Sequence, residues 1–221
     1  MKKKDEFVFK ILDWFEENRR DFPWRRTADP YKVLVAEMML QKTTSKQVSG
    51  IFEDFVNKYP DPSSLSAATL EEIESKIGSL GIEHKRAVNF KECAYQLTNR
   101  YGGQIPCKRE ELLSLPGIGD YIANAVLCFA CGEKLPLVDT NIVRLLERFF
   151  GMKSKKARAR TDKTFWNAVA EMIPAKRAKQ FNLGLLDFAS LVCSAKNPKC
   201  GTCPLHEKCD FYKKYDDVER P

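Results

Sequence analysis

The chain has 221 residues, enough for one hydrophobic core or two small helical lobes, and it lacks an apolar stretch long enough to cross a bilayer, which excludes a membrane-spanning protein. Its formal net charge of +7 and pI near 8.9 suit a polyanionic partner, although many proteins without such a partner are equally basic. The N-terminal Met1-Lys2-Lys3-Lys4 runs into acidic residues in place of an apolar signal region, so we expect a cytoplasmic protein. In that compartment the eight cysteines indicate thiols and metal ligands in preference to disulfides.

Apolar side chains recur at helical spacing along most of the sequence, and no segment shows the sustained alternation of a strand. We therefore predict an all-α fold. The predicted helices span residues 5–20, 31–43, 46–58, 70–79, 87–101, 108–113, 119–131, 139–150, 162–172 and 176–189.

The loop before the second predicted helix carries Trp24, Arg25 and Arg26, which could stack on a base or bind phosphate. A buried tryptophan that anchors the loop would account for Trp24 equally well. Within the second helix, Glu37 interrupts an apolar run, and a carboxylate in such a place is seldom buried without a partner or a task. The alternatives for Glu37 are a narrow solvated stripe or a pairing with an arginine.

The segment Leu115-Pro116-Gly117-Ile118-Gly119 reads as a tight turn between two helices. Its glycines allow positive φ and close approach of another molecule, and the start of the following helix favours an anion such as a phosphate. An ordinary helix connection would have a similar sequence. Farther along, Asp139 precedes a helix, where an aspartate is usually an N-cap.

Four cysteines at the C-terminal end follow the pattern Cys-x6-Cys-x2-Cys-x5-Cys, formed by Cys193, Cys200, Cys203 and Cys209. Thiolates at this spacing suit an iron–sulfur cluster or a tetrahedral zinc ion, and the single CxxC pair favours iron and sulfur. The other four cysteines are Cys93, Cys107, Cys128 and Cys131. We interpret Cys128 and Cys131 as buried thiols of an apolar helix in preference to a redox pair.

Taken together and in this order, the LPGIG turn, the Val138-Asp139-Thr140-Asn141 segment and the four cysteines resemble the endonuclease III superfamily of helix-hairpin-helix DNA glycosylases. The resemblance covers about residues 22–209. The motifs at Asp21-Phe22-Pro23-Trp24-Arg25, Glu37-Met38-Met39-Leu40 and Phe181-Asn182-Leu183-Gly184-Leu185 are similar to the branch with MutY-type adenine glycosylases and Mig-type G·T mismatch thymine glycosylases.

The resemblance implies two helical lobes with the active-site cleft between them. One lobe is a six-helix barrel with the helix-hairpin-helix at residues 22–134, and the other combines residues 1–21 with 135–221 and holds a structural 4Fe–4S cluster. It also implies site residues. Asp139, Tyr121 and Glu37 would be catalytic; DNA-binding residues would be Gly117, Gly119, Gln41, Lys42, Thr43, Ile82, Lys85 and Arg25; the cluster ligands would be Cys193, Cys200, Cys203 and Cys209.

In these roles, Asp139 stabilises the positive charge that develops on the sugar, and Glu37 lines the base pocket. Bifunctional relatives carry a lysine that forms a Schiff base with the sugar, and at that position this chain has Tyr121, so the resemblance implies a monofunctional glycosylase. Gln41, Lys42 and Thr43 would fill the gap left by a flipped nucleotide, although solvated helix-end residues would look the same. Tyr121 could also serve packing alone.

The resemblance implies a monomer that binds double-stranded DNA containing a mismatch, is associated with the nucleoid and does not interact with membranes. Two features favour thymine or uracil opposite guanine over adenine as the excised base. The sequence ends at Pro221, without the additional C-terminal domain of typical adenine glycosylases, and Thr140 follows Asp139 where that branch has glycine. The alternatives are an adenine glycosylase acting on A·G or A·8-oxoguanine, and a DNA-binding module without catalysis.

Overall fold

The protein is described by a computed structural model that covers residues 2–219, with side chains through residue 214. The described residues form thirteen α-helices and no β-strand. In chain order the helices are α1 (Lys3–Asn18), α2 (Pro30–Met39), α3 (Ser45–Ser49), α4 (Phe52–Lys58), α5 (Pro62–Ala67), α6 (Leu70–Ile77), α7 (Glu83–Tyr101), α8 (Arg109–Leu113), α9 (Asp120–Phe129), α10 (Thr140–Phe150), α11 (Lys163–Met172), α12 (Ala178–Leu191) and α13 (Asp210–Glu219). The predicted all-α fold is confirmed.

The contacts divide the chain into two compact units. We call the segment up to Arg20 together with the segment from Lys134 onward the terminal unit, and Asp21–Glu133 the central unit. The predicted domain ranges, 22–134 and 1–21 with 135–221, stay a prediction, because a grouping of contacts does not show which segments fold by themselves.

The terminal unit is built on aromatic side chains from α1, α10, α11 and α12. Its fully buried members include Phe7, Phe149, Phe165, Phe181 and Phe188. Helices α1 and α12 pack closely because α12 carries Gly184, where an added Cβ would lie 3.1 Å from Cγ2 of Ile11. Helix α10, whose N-cap is a candidate catalytic residue, packs against this aromatic core.

The central unit packs α2 against α9, and α7 against α5 and α6. Asp29 begins α2 by accepting hydrogen bonds from the backbone amides of Tyr31 and Lys32, with Pro30 at the first helical position. Apolar residues cover α2 on nearly every side, and its residues from Val33 to Met39 are all buried. The helix that carries Glu37 is therefore an interior helix.

Several predicted boundaries were wrong. The helix predicted at residues 46–58 is two helices, because the chain turns at Gly50 and Ile51 between α3 and α4. Helices α5 and α13 were not predicted. None of the helices in the described residues combines the length and the apolar composition that a membrane span requires.

The structure contradicts the expectation that all eight cysteines are thiols or ligands. Cys107 and Cys131 form a disulfide across 24 residues of sequence, with Cα atoms 5.9 Å apart. Helix α9 ends at Phe129, so Cys131 lies beyond the apolar helix and is half-buried, whereas Cys128 is a buried thiol outside any disulfide, as predicted. The disulfide encloses α8, the glycine turn and α9.

Candidate active site and DNA-binding elements

The glycine turn joins α8 to α9 in the central unit. Gly117 has φ +79°, and a Cβ there would lie 3.2 Å from the Asn89 side chain, so both conformation and space require glycine. Gly119 was expected to share this conformation, but its φ is −111° and the space around it is open. Because of that open space, Gly119 leaves the N-terminus of α9 unobstructed, as anion binding requires. Arg109 on α8 connects the two helices by an ion pair with Asp120 on α9.

Glu37 lies in the interior of α2 and is 6% exposed. Burial raises its pKa from the ordinary value of 4.5 to about 7, and the Arg25 guanidinium offsets part of that effect. The solvated-stripe alternative is therefore wrong. With this pKa, Glu37 can be either a proton donor or an acceptor near neutral pH.

Tyr121 lies in the first turn of α9 and is half-buried.

Gln41, Lys42 and Thr43 lie in the loop of residues 40–44 that follows α2. Lys42 has φ +56°, a left-handed conformation uncommon for residues other than glycine. The Gln41 side-chain amide donates a hydrogen bond to the Gly117 carbonyl at 2.8 Å, which connects this loop to the glycine turn. The predicted DNA-binding residues Gln41 and Gly117 are thus neighbours in the structure.

Ile82 and Lys85 belong to the segment that leads into α7. Ile82 is 55% exposed and has φ +51°, although β-branched side chains disfavour that region. Lys85 is exposed on the first turn of α7. Their contacts with DNA stay a prediction.

Arg25 ends a short turn, Pro23–Arg25, in the central unit. Its guanidinium lies 5.2 Å from the centroid of the Phe22 ring. Trp24 is 7% exposed and stacks on Phe22 with centroids 4.8 Å apart, so it anchors the loop as the alternative interpretation held. The role of Arg25 toward DNA stays a prediction.

Asp139 is the N-cap of α10, as its sequence position predicted. Its Oδ1 accepts hydrogen bonds from the backbone amides of Asn141 at 2.9 Å and Ile142 at 2.7 Å. Its Oδ2 accepts one from the Asn141 side-chain amide at 2.9 Å. These bonds fix the carboxylate, which is half-buried.

Asp139 is also connected to the segment that carries the four cysteines. Arg144, one turn along α10, donates to Oδ1 of Asn141 at 3.0 Å and to the carbonyl of Cys193 at 3.0 Å. The chain leading to Asp139 is held by Asn182, which is fully buried; its Oδ1 accepts from the Leu137 amide and its Nδ2 donates to the Leu135 carbonyl, both at 3.0 Å. Sequence reasoning missed the roles of Asn182 and Arg144. The polar Asn182 between the apolar residues Phe181 and Leu183 was the available signal.

The four predicted cluster ligands, Cys193, Cys200, Cys203 and Cys209, line one small cavity together. Burial raises the pKa of Cys203 to about 11 and also raises the pKa values of Cys200 and Cys209. Such thiols stay protonated at neutral pH unless a cation stabilises the thiolate, so the donor set fits a cationic iron centre. No three His, Cys, Asp or Glu side chains among the described residues are placed to hold a single metal ion.

A second arginine of α10, Arg148, also supports the segment that carries the four cysteines. Arg148 donates to the Ser194 carbonyl at 2.7 Å and to the Ala195 carbonyl at 3.0 Å, and its Nη1 lies 3.6 Å from Sγ of Cys193. Lys196 and Lys199, which lie between the first two cysteines of this segment, are exposed. The segment is thus anchored by side chains of the same helix that Asp139 caps.

Comparison with known proteins agrees with the resemblance. Residues 193–209 match the family described as the iron-sulfur binding domain of endonuclease III, which confirms the predicted 4Fe–4S cofactor. A "Thymine/uracil-DNA glycosylase" of Pyrobaculum aerophilum is 49% identical over 94% of this chain and 92% of its own length. The solved structure of a thermostable thymine-DNA glycosylase has a TM-score of 0.91 and 38% identity over 96% of this chain and 98% of its own.

Adenine glycosylases are more distant. The "Adenine DNA glycosylase" of Buchnera aphidicola is 32% identical over 96% of this chain and 61% of its own length. Residues 35–171, more than half of the chain, match the family described as HhH-GPD superfamily base excision DNA repair protein. The protein therefore belongs to the HhH-GPD superfamily of base excision DNA repair proteins.

Proposed function

We propose that this protein is a monofunctional DNA glycosylase that removes thymine or uracil from G·T and G·U mismatches. One observation carries the proposal: the 49% identity to a protein named thymine/uracil-DNA glycosylase extends over nearly the full length of both chains. The reaction hydrolyses the C1′–N1 bond and leaves a free base and an abasic site. The glycosidic bond is hidden in duplex DNA, so the nucleotide must first rotate out of the stack.

In the proposed reaction Asp139 acts on the sugar. Positive charge develops on the sugar as the C1′–N1 bond breaks, and a fixed carboxylate beside it stabilises the transition state more than the substrate. Three hydrogen bonds already hold the Asp139 carboxylate in place, so little reorganisation is needed during the reaction. The same carboxylate would orient the attacking water.

Glu37 acts on the departing base. Its pKa of about 7 leaves a substantial protonated fraction at neutral pH, and the protonated carboxyl can donate a hydrogen bond to a base carbonyl. Thymine and uracil leave as resonance-stabilised N1 anions, so a hydrogen bond to a carbonyl suffices without full protonation of the base. Tyr121 supports the monofunctional assignment, because a phenol cannot form the imine that a lysine forms with the sugar.

The glycine turn, the 40–44 loop and Ile82 supply the DNA contacts. The open N-terminus of α9 would bind a backbone phosphate, and the 40–44 loop with Ile82 would occupy the space of the flipped nucleotide. The iron–sulfur cluster would hold the loop of Lys196 and Lys199, which are free to pair with phosphates in salt-dependent fashion. We further propose that the protein acts as a monomer on nucleoid DNA in the cytoplasm.

Single-turnover excision from four duplexes of identical flanking sequence tests the proposal. The duplexes carry G·T, G·U, A·G and A·8-oxoguanine, and strand breakage after alkali reports the abasic product. We expect release from G·T and G·U only, and no covalent product on borohydride treatment. Faster adenine release from either adenine-containing duplex would assign the protein to the adenine branch. Mismatch binding without any release would leave a non-catalytic DNA-binding module.

A further inference from the structure

Two loops of the central unit hold uncommon backbone conformations side by side. Lys42 in the 40–44 loop and Ile82 in the loop of residues 79–82 have positive φ, and no other described residue except glycine does. Positive φ costs free energy for both residues, most for the β-branched Ile82. Such strain persists only where the surroundings hold it, so each loop requires a group that fixes it.

Arg86 is the group that holds the 40–44 loop. It is 7% exposed, and its guanidinium donates to the carbonyls of Met38 at 2.7 Å and Met39 at 3.0 Å. Its other terminal nitrogen donates to the Gln41 carbonyl and to Oγ1 of Thr43, both at 3.0 Å. One planar side chain therefore spans the end of α2 and both sides of Lys42.

The same residue connects the two loops. The Arg86 backbone amide donates to the Ile82 carbonyl at 3.0 Å. Oγ1 of Thr43, which accepts from the Arg86 side chain, lies 3.1 Å from the Gln41 carbonyl and 3.4 Å from the Leu80 carbonyl, and its one hydrogen can be donated to either. A parallel contact joins Nε2 of Gln47 to the Ser79 carbonyl at 3.2 Å. Removing the Arg86 side chain would therefore release the 40–44 loop and, through Thr43, loosen its contact with the 79–82 loop.

Burying the charged guanidinium of Arg86 at this position costs free energy. All four of its side-chain acceptors are uncharged oxygens, and its Nε has no hydrogen-bond partner among the described residues. Burial lowers its pKa, which is the sign of an incompletely compensated charge. An apolar side chain would fill the volume at lower cost, but it could not bind four oxygens in one plane. Stability alone does not explain an arginine here.

We propose that Arg86 is the positioning residue that fixes the 40–44 and 79–82 loops in the conformation that enters the DNA when the nucleotide flips. The proposal rests on the proposed function for its consequence, and on the hydrogen bonds above for the loop order. Arg86 acts through Lys42 and Ile82, so its loss impairs the flipping step and leaves the bond-breaking groups in place.

Lys91 lies on α7, as Arg86 does, and offers a matched control for the loss of Arg86. Its ammonium donates to the carbonyls of Ser66 and Ala68, at the C-terminal end of α5, as Arg86 does at the end of α2. The variant Lys91→Met removes comparable contacts away from both loops. Arg86→Lys keeps the charge but cannot reach all four oxygens. Thr43→Val removes one contact of Arg86 at a half-buried position and carries the test if Arg86→Lys does not fold.

Hydrogen exchange measured on the free holoprotein tests the loop order without reference to DNA. We expect the amides of residues 40–44 to exchange about tenfold faster in Arg86→Lys, and to a smaller extent in Thr43→Val, with no such change in Lys91→Met. If the amides of residues 40–44 exchanged equally fast in Arg86→Lys and Lys91→Met, Arg86 would not order the loop, and the proposal would be overturned.

A duplex with 2-aminopurine beside the G·U mismatch tests the consequence. Fluorescence reports flipping, and single-turnover excision is compared with excision of the same uracil opposite an abasic nucleotide, where no base pair opposes flipping. We expect Arg86→Lys to lose about tenfold on G·U and much less on the unpaired uracil. Equal losses on both substrates would overturn the positioning role. If wild-type protein excised no uracil, the proposed function would fail while the exchange result still decided the loop order.

Discussion

The two carboxylates assigned to the reaction differ in almost every physical respect. Asp139 lies at the start of a helix, half-buried, and its carboxylate accepts three hydrogen bonds that fix its orientation. Glu37 lies within an interior helix, 6% exposed, and burial raises its pKa to about 7. The first environment orients a carboxylate with amide donors, whereas the second, by burial, favours a proton.

In the proposed mechanism, this difference lets one fold give two tasks to similar groups. A carboxylate that opposes a sugar cation must be charged, and a carboxyl that donates to a departing base must be protonated. Residue type does not distinguish the tasks, but position in the helix does. A helix start supplies amide donors, while the middle of an apolar helix removes water.

The largest expected effect comes from removing the charge of Asp139. Asp139→Asn keeps the size and the capping oxygen, so the melting temperature should change little. The single-turnover rate on G·T should fall by about a thousandfold, because the charge opposing the sugar cation is lost. Gel-shift affinity for the mismatch should be retained, and near-normal turnover would assign Asp139 to capping alone.

A second capping aspartate in the same unit provides the control. Asp162 begins α11 and accepts a hydrogen bond from the Thr164 amide at 3.0 Å. Hydrogen bonds, first from Ser154, lower its pKa to about 2, so its stabilisation is present above the ordinary pKa and is lost as the pH falls toward 2. Asp162→Asn should therefore lower the melting temperature at neutral pH without a comparable loss of turnover.

A smaller loss is expected when the support of Asp139 is removed. Arg144→Met deletes the bonds to Oδ1 of Asn141 and to the Cys193 carbonyl, so the Asn141 amide can turn away from Asp139. We expect about a tenfold loss of the single-turnover rate with the iron content unchanged. Loss of iron in step with activity would show that Arg144 serves the cluster instead of the carboxylate.

Glu37 should show the opposite dependence of stability on pH. Its pKa is raised in the folded protein, so ionising it costs stability as the pH rises from 4.5 through about 7. Glu37→Gln removes that cost. Urea unfolding should find the variant about 3 kcal/mol more stable than wild type at pH 8, at most, and equal to it near pH 4. A constant difference at both pH values would contradict the raised pKa.

The smallest effect on catalysis is expected from the disulfide. Replacing Cys107 and Cys131 by serine opens a covalent loop around the helix-hairpin-helix, which should cost about 3 kcal/mol of stability. Thermal unfolding should record that loss, while turnover at moderate temperature stays close to wild type. Reductant should lower the melting temperature of the wild type and leave that of the double variant unchanged; equal effects on both would place the sensitive group elsewhere.

Local patterns predicted the all-α fold, the glycine turn and the N-cap at Asp139. The spacing of the four C-terminal cysteines predicted an iron–sulfur ligand set. These patterns failed where the information is not local. The break between α3 and α4 is hidden because Val48, Phe52 and Phe55 continue the apolar spacing, and Gly50 was the only mark of it. The disulfide joins residues 24 apart in sequence, and no spacing rule indicates such a pair.

The supporting residues of the site were the least predictable part. Asn182, Arg144 and Arg86 act by reaching backbone carbonyls and amides of distant segments, and those partners have no signature in the sequence. Gly119 shows a subtler limit. A glycine in a turn indicated positive φ, whereas Gly119 has φ −111° and open space around it at the start of α9.

The pH dependence of the single-turnover rate on G·T tests the division of labour between Glu37 and Asp139 most directly. For the wild type we expect the rate to fall as the pH rises through about 7, because Glu37 loses its proton there. In Glu37→Gln the rate should be lower at pH 6 and flat across pH 7, since the amide donates at every pH. A fall at the same pH in both proteins would contradict the account and assign the titration to another group.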